Sequence, residues 1–254
     1  MIPLRDENPT LRPPVATYVI IGLNILVWLA VQGFGDPYAM AESFCRYALI
    51  PGDLLGFTAD LSANGQTRNA VGCLWEHRPG ISTLISSMFM HGGWLHIIGN
   101  MLFLWVFGDN VEDVMGPLRF VCFYILCGLA AAVAQIATDP GSLIPMVGAS
   151  GAIGGVMGAY ALLFPKARVH MLFIIVVYVT TISVPAILVL GYWFLLQLLS
   201  GFSTLGATGG GVAFWAHIGG FVAGAALIYA FKNPALIKAR EALTPSRQAR
   251  HRWL

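Results

Sequence analysis

Residues Val147-Gly148-Ala149-Ser150-Gly151-Ala152, continued by Ile153-Gly154-Gly155-Val156-Met157-Gly158, decide how this chain is read. A serine opens a run of small and apolar residues that Pro165 stops, and the pattern predicts a helix over about 148–164. Gly154 and Gly158 follow Ser150 at i+4 and i+8 on one face, a spacing that lets membrane helices approach closely. Two readings of Ser150 stand here: an N-cap, or a reactive hydroxyl at the head of a tightly packed helix. At ~1.5 Å per residue the helix measures ~25 Å, less than the ~30 Å hydrocarbon core. That shortfall puts Ser150 below the outer membrane surface.

Composition makes the membrane setting necessary. Of 254 residues, 57% are hydrophobic and 10% charged, against roughly 25% charged in soluble domains. No Asp, Glu, Lys or Arg occurs in 13–35, 79–108, 120–138, 140–165 or 169–231. Each gap holds a span of ~20 residues, and the last holds two, which predicts six spans. They are placed at about 15–32, 94–113, 118–138, 148–164, 184–200 and 212–231. The first reads as a retained span, not a cleaved signal. With both termini on one side, that side carries eleven basic residues and the other only Arg46, Arg68 and Arg78. The positive-inside rule then sets both termini in the cytoplasm. The basic tail, 233–254, reads as a helix facing solvent or lipid headgroups, with anionic lipid and not nucleic acid as its partner.

Between the spans the sequence is less decisive. The outer segment 34–80, rich in Gly, Pro and aromatics, is expected to hold short interfacial helices. Residues 169–183, β-branched and apolar, form either a cytoplasmic-side loop against the bundle or an extra span; the charge bias favours the loop. Asp109–Pro117 reads as a short polar turn. The glycine-rich stretch 201–211 is expected to be a mobile cover on the outer side. Cys122 and Cys127 read as packing residues, whereas Cys45 and Cys73 would pair if their compartment is oxidising.

Chemistry concentrates at one depth. His217 shares a helical face with Gly220, Phe221 and Gly224, and a histidine within a span defaults to a functional reading; the bland reading is a packing histidine bonded to a carbonyl. If the two glycine faces meet, Ser150 and His217 reach hydrogen-bond distance, ~2.6–3.2 Å. His96 and Asn100, one turn apart, are either a helix-packing pair or donors toward a developing oxyanion. The second, fourth and sixth spans run the same way, so all four residues lie in their outer halves. No metal-ligand motif is present, no cofactor is expected, and with no Asp or Glu in any span the arrangement is a Ser–His dyad.

The motifs Gly148-Ala149-Ser150-Gly151, Ala216-His217-x-x-Gly220-x-x-x-Gly224 and His91-Gly92-Gly93-Trp94-x-His96-x-x-x-Asn100 resemble those of the rhomboid intramembrane serine proteases. The resemblance covers about 81–232. It implies an all-α, six-transmembrane bundle with a long outer loop between spans 1 and 2. Residues 1–14 are then a cytoplasmic segment, 15–232 the catalytic domain and 233–254 a basic tail. It implies Ser150 as nucleophile and His217 as base. His96, Asn100 and the Ser150 N–H would bind the oxyanion, and His91 would be structural. The expected substrates are transmembrane segments of single-span proteins, cut near the outer boundary of a bacterial-type plasma membrane. Two departures are visible: Gly154 stands where some members carry a tyrosine under the histidine, and Trp75 and Arg78 are not adjacent. The competing readings are a catalytically silent helix-binding chaperone or sorting factor, and a transporter, which would want internal repeats that this chain lacks.

Overall fold

In the computed structural model the central element is the one the serine opens. The structure describes residues 2–57, 80–175, 178–204 and 212–243. The helices are α1 (Val15–Ala30), α2 (Pro37–Tyr47), α3 (Pro51–Leu54), α4 (Thr83–Ser86), α5 (Trp94–Met115), α6 (Pro117–Thr138), α7 (Ser150–Leu163), α8 (Ala186–Ser203), α9 (Phe214–Phe231) and α10 (Pro234–Leu243). Three of them, α6, α8 and α9, are long and apolar enough to cross a membrane, and α1 and α7 are shorter apolar helices. Every residue from Gly151 to Ala161 in α7 is buried, because α5, α6, α8 and α9 all pack around it.

Glycine sets how close those neighbours come. A Cβ on Gly220 of α9 would lie 1.9 Å from the Gly151 carbonyl oxygen, and one on Gly224 1.9 Å from that of Gly155. Conversely, a Cβ on Gly158 would lie 2.1 Å from the Phe221 carbonyl oxygen. The helices therefore touch backbone to backbone, the geometry that small residues permit between membrane helices. Gly151 and Gly155 also face α6, where added Cβ atoms would strike Ala131 and Cys127. The contact thus uses both glycine rows of α7 and not only the expected stripe through Gly154 and Gly158.

The chain departs from an all-α architecture at its N-terminus and after α7. Strands β1 (Ile2–Asp6), β2 (Arg168–Ile175) and β3 (Tyr178–Pro185) form an antiparallel sheet in the order β1-β2-β3. Residues 169–183, expected as a loop, are thus mainly a hairpin. β-Branched side chains suit a pleated surface, and Val169 and Met171 are buried against the helices. The expected polar turn at Asp109–Pro117 is instead the end of α5, which runs to Met115 and leaves Gly116 as the hinge.

The far end of α5 carries Asp109, Glu112 and Asp113, against the expectation that no span holds an acid. Glu112 accepts from the Ala16 N–H at 2.9 Å, the Thr17 N–H at 2.8 Å and the Thr17 hydroxyl at 2.8 Å. It thereby occupies the free N–H groups at the start of α1. Asp113 receives Arg240 Nη1 at 2.6 Å and Arg12 Nε at 3.2 Å. Arg240 also donates to Asn8 at 2.6 Å and Asn110 at 2.8 Å, and stacks over Phe164. Tyr160 of α7 donates to Asp6. The α10 helix is therefore not simply solvated: Arg240 is buried because Asp113 demands a counter-charge.

Other expectations shift in smaller ways. Cys127 is buried as expected, but Cys122 is exposed. The described part of the outer segment does hold short helices, α2 and α3. Gly201–Ser203 belong to α8, not to the glycine-rich loop, and Thr204 caps that helix; 205–211, and Cys73, Trp75 and Arg78, lie outside the described residues. The glycine contact gives a test. Gly224→Ala should destabilise the fold by about 1–3 kcal/mol or more, the cost of overpacking, whereas Gly22→Ala, with nothing within 4 Å of the added methyl, should not. Thermal unfolding in detergent measures both.

Candidate active site

Helices α5, α6, α7, α8 and α9 all deliver side chains to one cavity of about 1000 Å³, lined among others by Ser150, His217, His96, Asn100 and Trp193. Its wall also includes Gln135, Thr138, Asp139, Ser142 and Thr204, polar groups that give water a route to the serine. Ser150 is the first residue of α7. The cap position is Ala149, and no side chain caps this helix, so the N-cap reading of Ser150 fails. Its hydroxyl lies 2.7 Å from His217 Nε2 instead. The close packing of α7 and α9 makes that distance possible.

His217 is held from its other side. Its Nδ1 lies 2.8 Å from Gln197 Oε1 of α8. An amide oxygen only accepts, so Nδ1 carries the proton and Nε2 presents a lone pair to the Ser150 hydroxyl. Trp193, one turn before Gln197, packs on the imidazole with ring centroids 5.8 Å apart. A Cβ on Gly154 would lie 3.0 Å from the His217 carbonyl oxygen. The missing tyrosine thus follows from the helix contact, and Trp193 backs the ring in its place. The sequence alone assigns His217 no orienting partner; the structure sets the Gln197 amide beside it. Its signal was an i,i+4 Trp–Gln pair on one face of an apolar run.

His96 and Asn100 stand across the cavity on α5. His96 Nδ1 accepts from the Gly92 N–H at 3.1 Å, which leaves Nε2 as the protonated nitrogen. Gly148, at φ +126°, brings its backbone so near that a Cβ would sit 2.8 Å from His96 Nε2; only glycine suits both that dihedral and that space. Asn100 is buried, and its Nδ2 has no hydrogen-bond acceptor. An unsatisfied buried donor costs roughly 1–3 kcal/mol. Together with the Ser150 N–H, which has no intrahelical acceptor at the first helical position, these groups form a set of donors beside a hydroxyl and a base. Such a set can deprotonate the hydroxyl and stabilise an anion formed next to it.

His91 supports this wall from behind. Its backbone N–H donates to Gln32 Oε1 at 2.8 Å, and its carbonyl accepts from Gln32 Nε2 at 2.7 Å. Its ring meets His96 edge-on at 5.2 Å. Gln32, the second unanticipated residue, thus ties α1 to the segment that leads into α5.

The sequence matches the family model of the Rhomboid domain over residues 78–234, a range that contains all four candidate residues. Over 84% of its length the chain is 35% identical to the rhomboid protease GluP of Bacillus subtilis, covering 35% of that protein. It is 38% identical over 30% of its length to RHOMBOID-like protein 5 of Arabidopsis thaliana, covering 25% of it. To the mitochondrial rhomboid protein 1 of Saccharomyces cerevisiae it is 32% identical over 34% of its length, covering 26%. The chain thus spans about a quarter to a third of these relatives.

Burial first, and the neighbouring His96 second, push the His91 imidazole down to about 3. Folding therefore favours its neutral form, and its contribution to stability is lost as pH falls from the ordinary histidine range. His91→Phe should accordingly lose less thermal stability than wild type between neutral pH and pH ~4.5, measured by unfolding in detergent at each pH.

Proposed function

The chain belongs to the rhomboid family, and from that membership we propose that it is an intramembrane serine endopeptidase. The observation that carries the reading is the 2.7 Å contact between Ser150 Oγ and His217 Nε2. In the proposed reaction His217 takes the hydroxyl proton as Oγ attacks a scissile carbonyl carbon. The carbonyl electron pair moves to oxygen, where Asn100, His96 and the Ser150 N–H donate to it. Collapse expels the amine, which receives the proton from His217 and leaves an acyl-enzyme. Water from the cavity repeats the sequence in reverse and frees Ser150. No metal, cofactor or nucleotide takes part.

The proposed substrates are transmembrane segments of single-span proteins. A membrane helix hides its carbonyls in hydrogen bonds, so the cut should fall where small or helix-weakening residues free one. We propose residues 15–232 as a six-span catalytic domain whose bilayer-crossing helices are α1, α5, α6, α7, α8 and α9. The termini, the sheet and α10 then face the cytoplasm of a bacterial-type plasma membrane, and the cavity opens to the other side. Three spans meet length and hydropathy criteria outright. The remaining three are proposed because α1 and α7 are short and α5 carries acids only toward its far end.

Purified protein incubated in detergent with a model single-span substrate tests this. Ser150→Ala and His217→Ala should each lower cleavage by about 10³-fold or more, and the double variant little further, since the residues act as a unit. Asn100→Ala should lower kcat by about 10²–10³-fold, the usual loss for one oxyanion donor. If Ser150→Ala cleaves as fast as wild type, the proposal fails. Capture of substrate without cleavage by wild type, together with no fluorophosphonate labelling of Ser150, would mark the helix-binding chaperone instead.

A further inference from the structure

Gln197 sits on α8, an apolar helix of mean hydropathy 1.7 in which few residues are buried. An amide in such a run costs free energy unless it is partnered. Polar side chains in membrane helices often serve only to hold neighbours together, and a partner anywhere on α7 or α9 would serve that end. Gln197 instead meets His217 Nδ1, the ring nitrogen opposite the one that faces Ser150, at 2.8 Å. Trp193, four residues earlier on the same face, covers the ring. One turn of α8 therefore restrains both rotation and tilt of the imidazole.

We infer that Gln197 is a positioning residue for His217, completing a Ser150–His217–Gln197 relay in which a neutral amide holds the base. The inference rests on the protease reading. As Oγ bonds to the scissile carbon, its proton moves to His217 Nε2; the Nδ1 proton stays on the ring and strengthens its hydrogen bond to Gln197 Oε1 as the imidazolium forms. When the amine leaves, the Nε2 proton goes with it and the ring returns to neutral. Gln197 neither gains nor loses a proton. It fixes the tautomer in which Nε2 is the acceptor, and it favours the transient cation by dipole, not by charge. Among the described residues, the other titratable side chains lining this cavity are His96 on α5 and Asp139 at the C-terminal cap of α6. His96 Nδ1 is occupied by Gly92, which leaves Gln197 as the partner on the Nδ1 side of His217.

Two variants test the role by steady-state cleavage of the model substrate across pH, with thermal unfolding in detergent as the fold control. Gln197→Leu should lower kcat about 10- to 100-fold, with KM within about twofold, because the ring loses its orientation and not its substrate contacts. Gln197→Glu keeps the shape and adds a charge that favours the imidazolium. It should retain kcat within several-fold at high pH while the acid limb of kcat/KM moves up by about one pH unit or more. Should Gln197→Leu fail to fold, the pH profile of Gln197→Glu decides alone. A merely structural amide predicts no such movement. If wild type cleaves and the Gln197→Glu profile superposes on its own, or a folded Gln197→Leu keeps kcat within twofold, this inference is overturned. If wild type neither cleaves nor takes the fluorophosphonate label, it is the protease reading that falls.

Discussion

The contact between α7 and α9 governs everything else in this molecule. Side chains ordinarily hold helix axes 8–10 Å apart. Here added methyls would lie 1.9 Å from opposing carbonyl oxygens at two successive turns, so nothing larger than hydrogen separates the backbones. In lipid, where burial of apolar surface gives helices no reason to associate, dispersion between closely fitted backbones supplies the attraction. The same fit leaves two short side chains at one end of the contact within reach of each other. A hydroxyl on Ser150 extends too little to bridge a conventional helix pair. Association and the reactive geometry are therefore one structural fact.

Much of this was legible in the sequence because it rests on local spacing. Glycines at i+4 and i+8 from Ser150, and at i+3 and i+7 from His217, mark faces without knowledge of what they touch. The spans placed from the charge-free stretches likewise match the helices α1, α5, α6, α7, α8 and α9 to within a few residues. What was not legible depends on partners distant in the chain. Residues 169–183 lack charges and alternate weakly, and nothing local says that Ile2–Asp6 returns to pair with them. Asp109, Glu112 and Asp113 look like a solvated turn until Ala16, Thr17, Arg12 and Arg240 are brought to them. Gln197 and Gln32 are single amides whose meaning comes from the histidines they meet, at separations of 20 and 59 residues.

The two ends of the bundle divide their polar chemistry by charge. Around Ser150 the partners are imidazoles and amides, and the orienting group for His217 is a glutamine. At the far end of α5, Asp113 pairs with Arg12 and Arg240, and Glu112 accepts from the start of α1. A carboxylate among apolar helices carries a desolvation cost of several kcal/mol, tolerable where α1 and two arginines can surround it. An amide orients an imidazole by dipole at much lower cost, at the expense of weaker stabilisation of the cation.

Asp113 lies before the middle of the chain, and its guanidinium partners come from residues 12 and 240. During synthesis Arg12 is already present when α5 is made, but Arg240 follows more than a hundred residues later. Until then the acid has only one of its two guanidinium partners, and Asn8 and Asn110 lack the donor that joins them. A polypeptide interrupted anywhere after the serine and histidine, yet before α10, would own the reactive pair and still lack the buried guanidinium that ties Asp113, Asn110 and Asn8 together. Completion of translation is in this way written into stability, and a truncated product would stand out to quality-control proteases by its looseness at the end of the bundle where α10 docks.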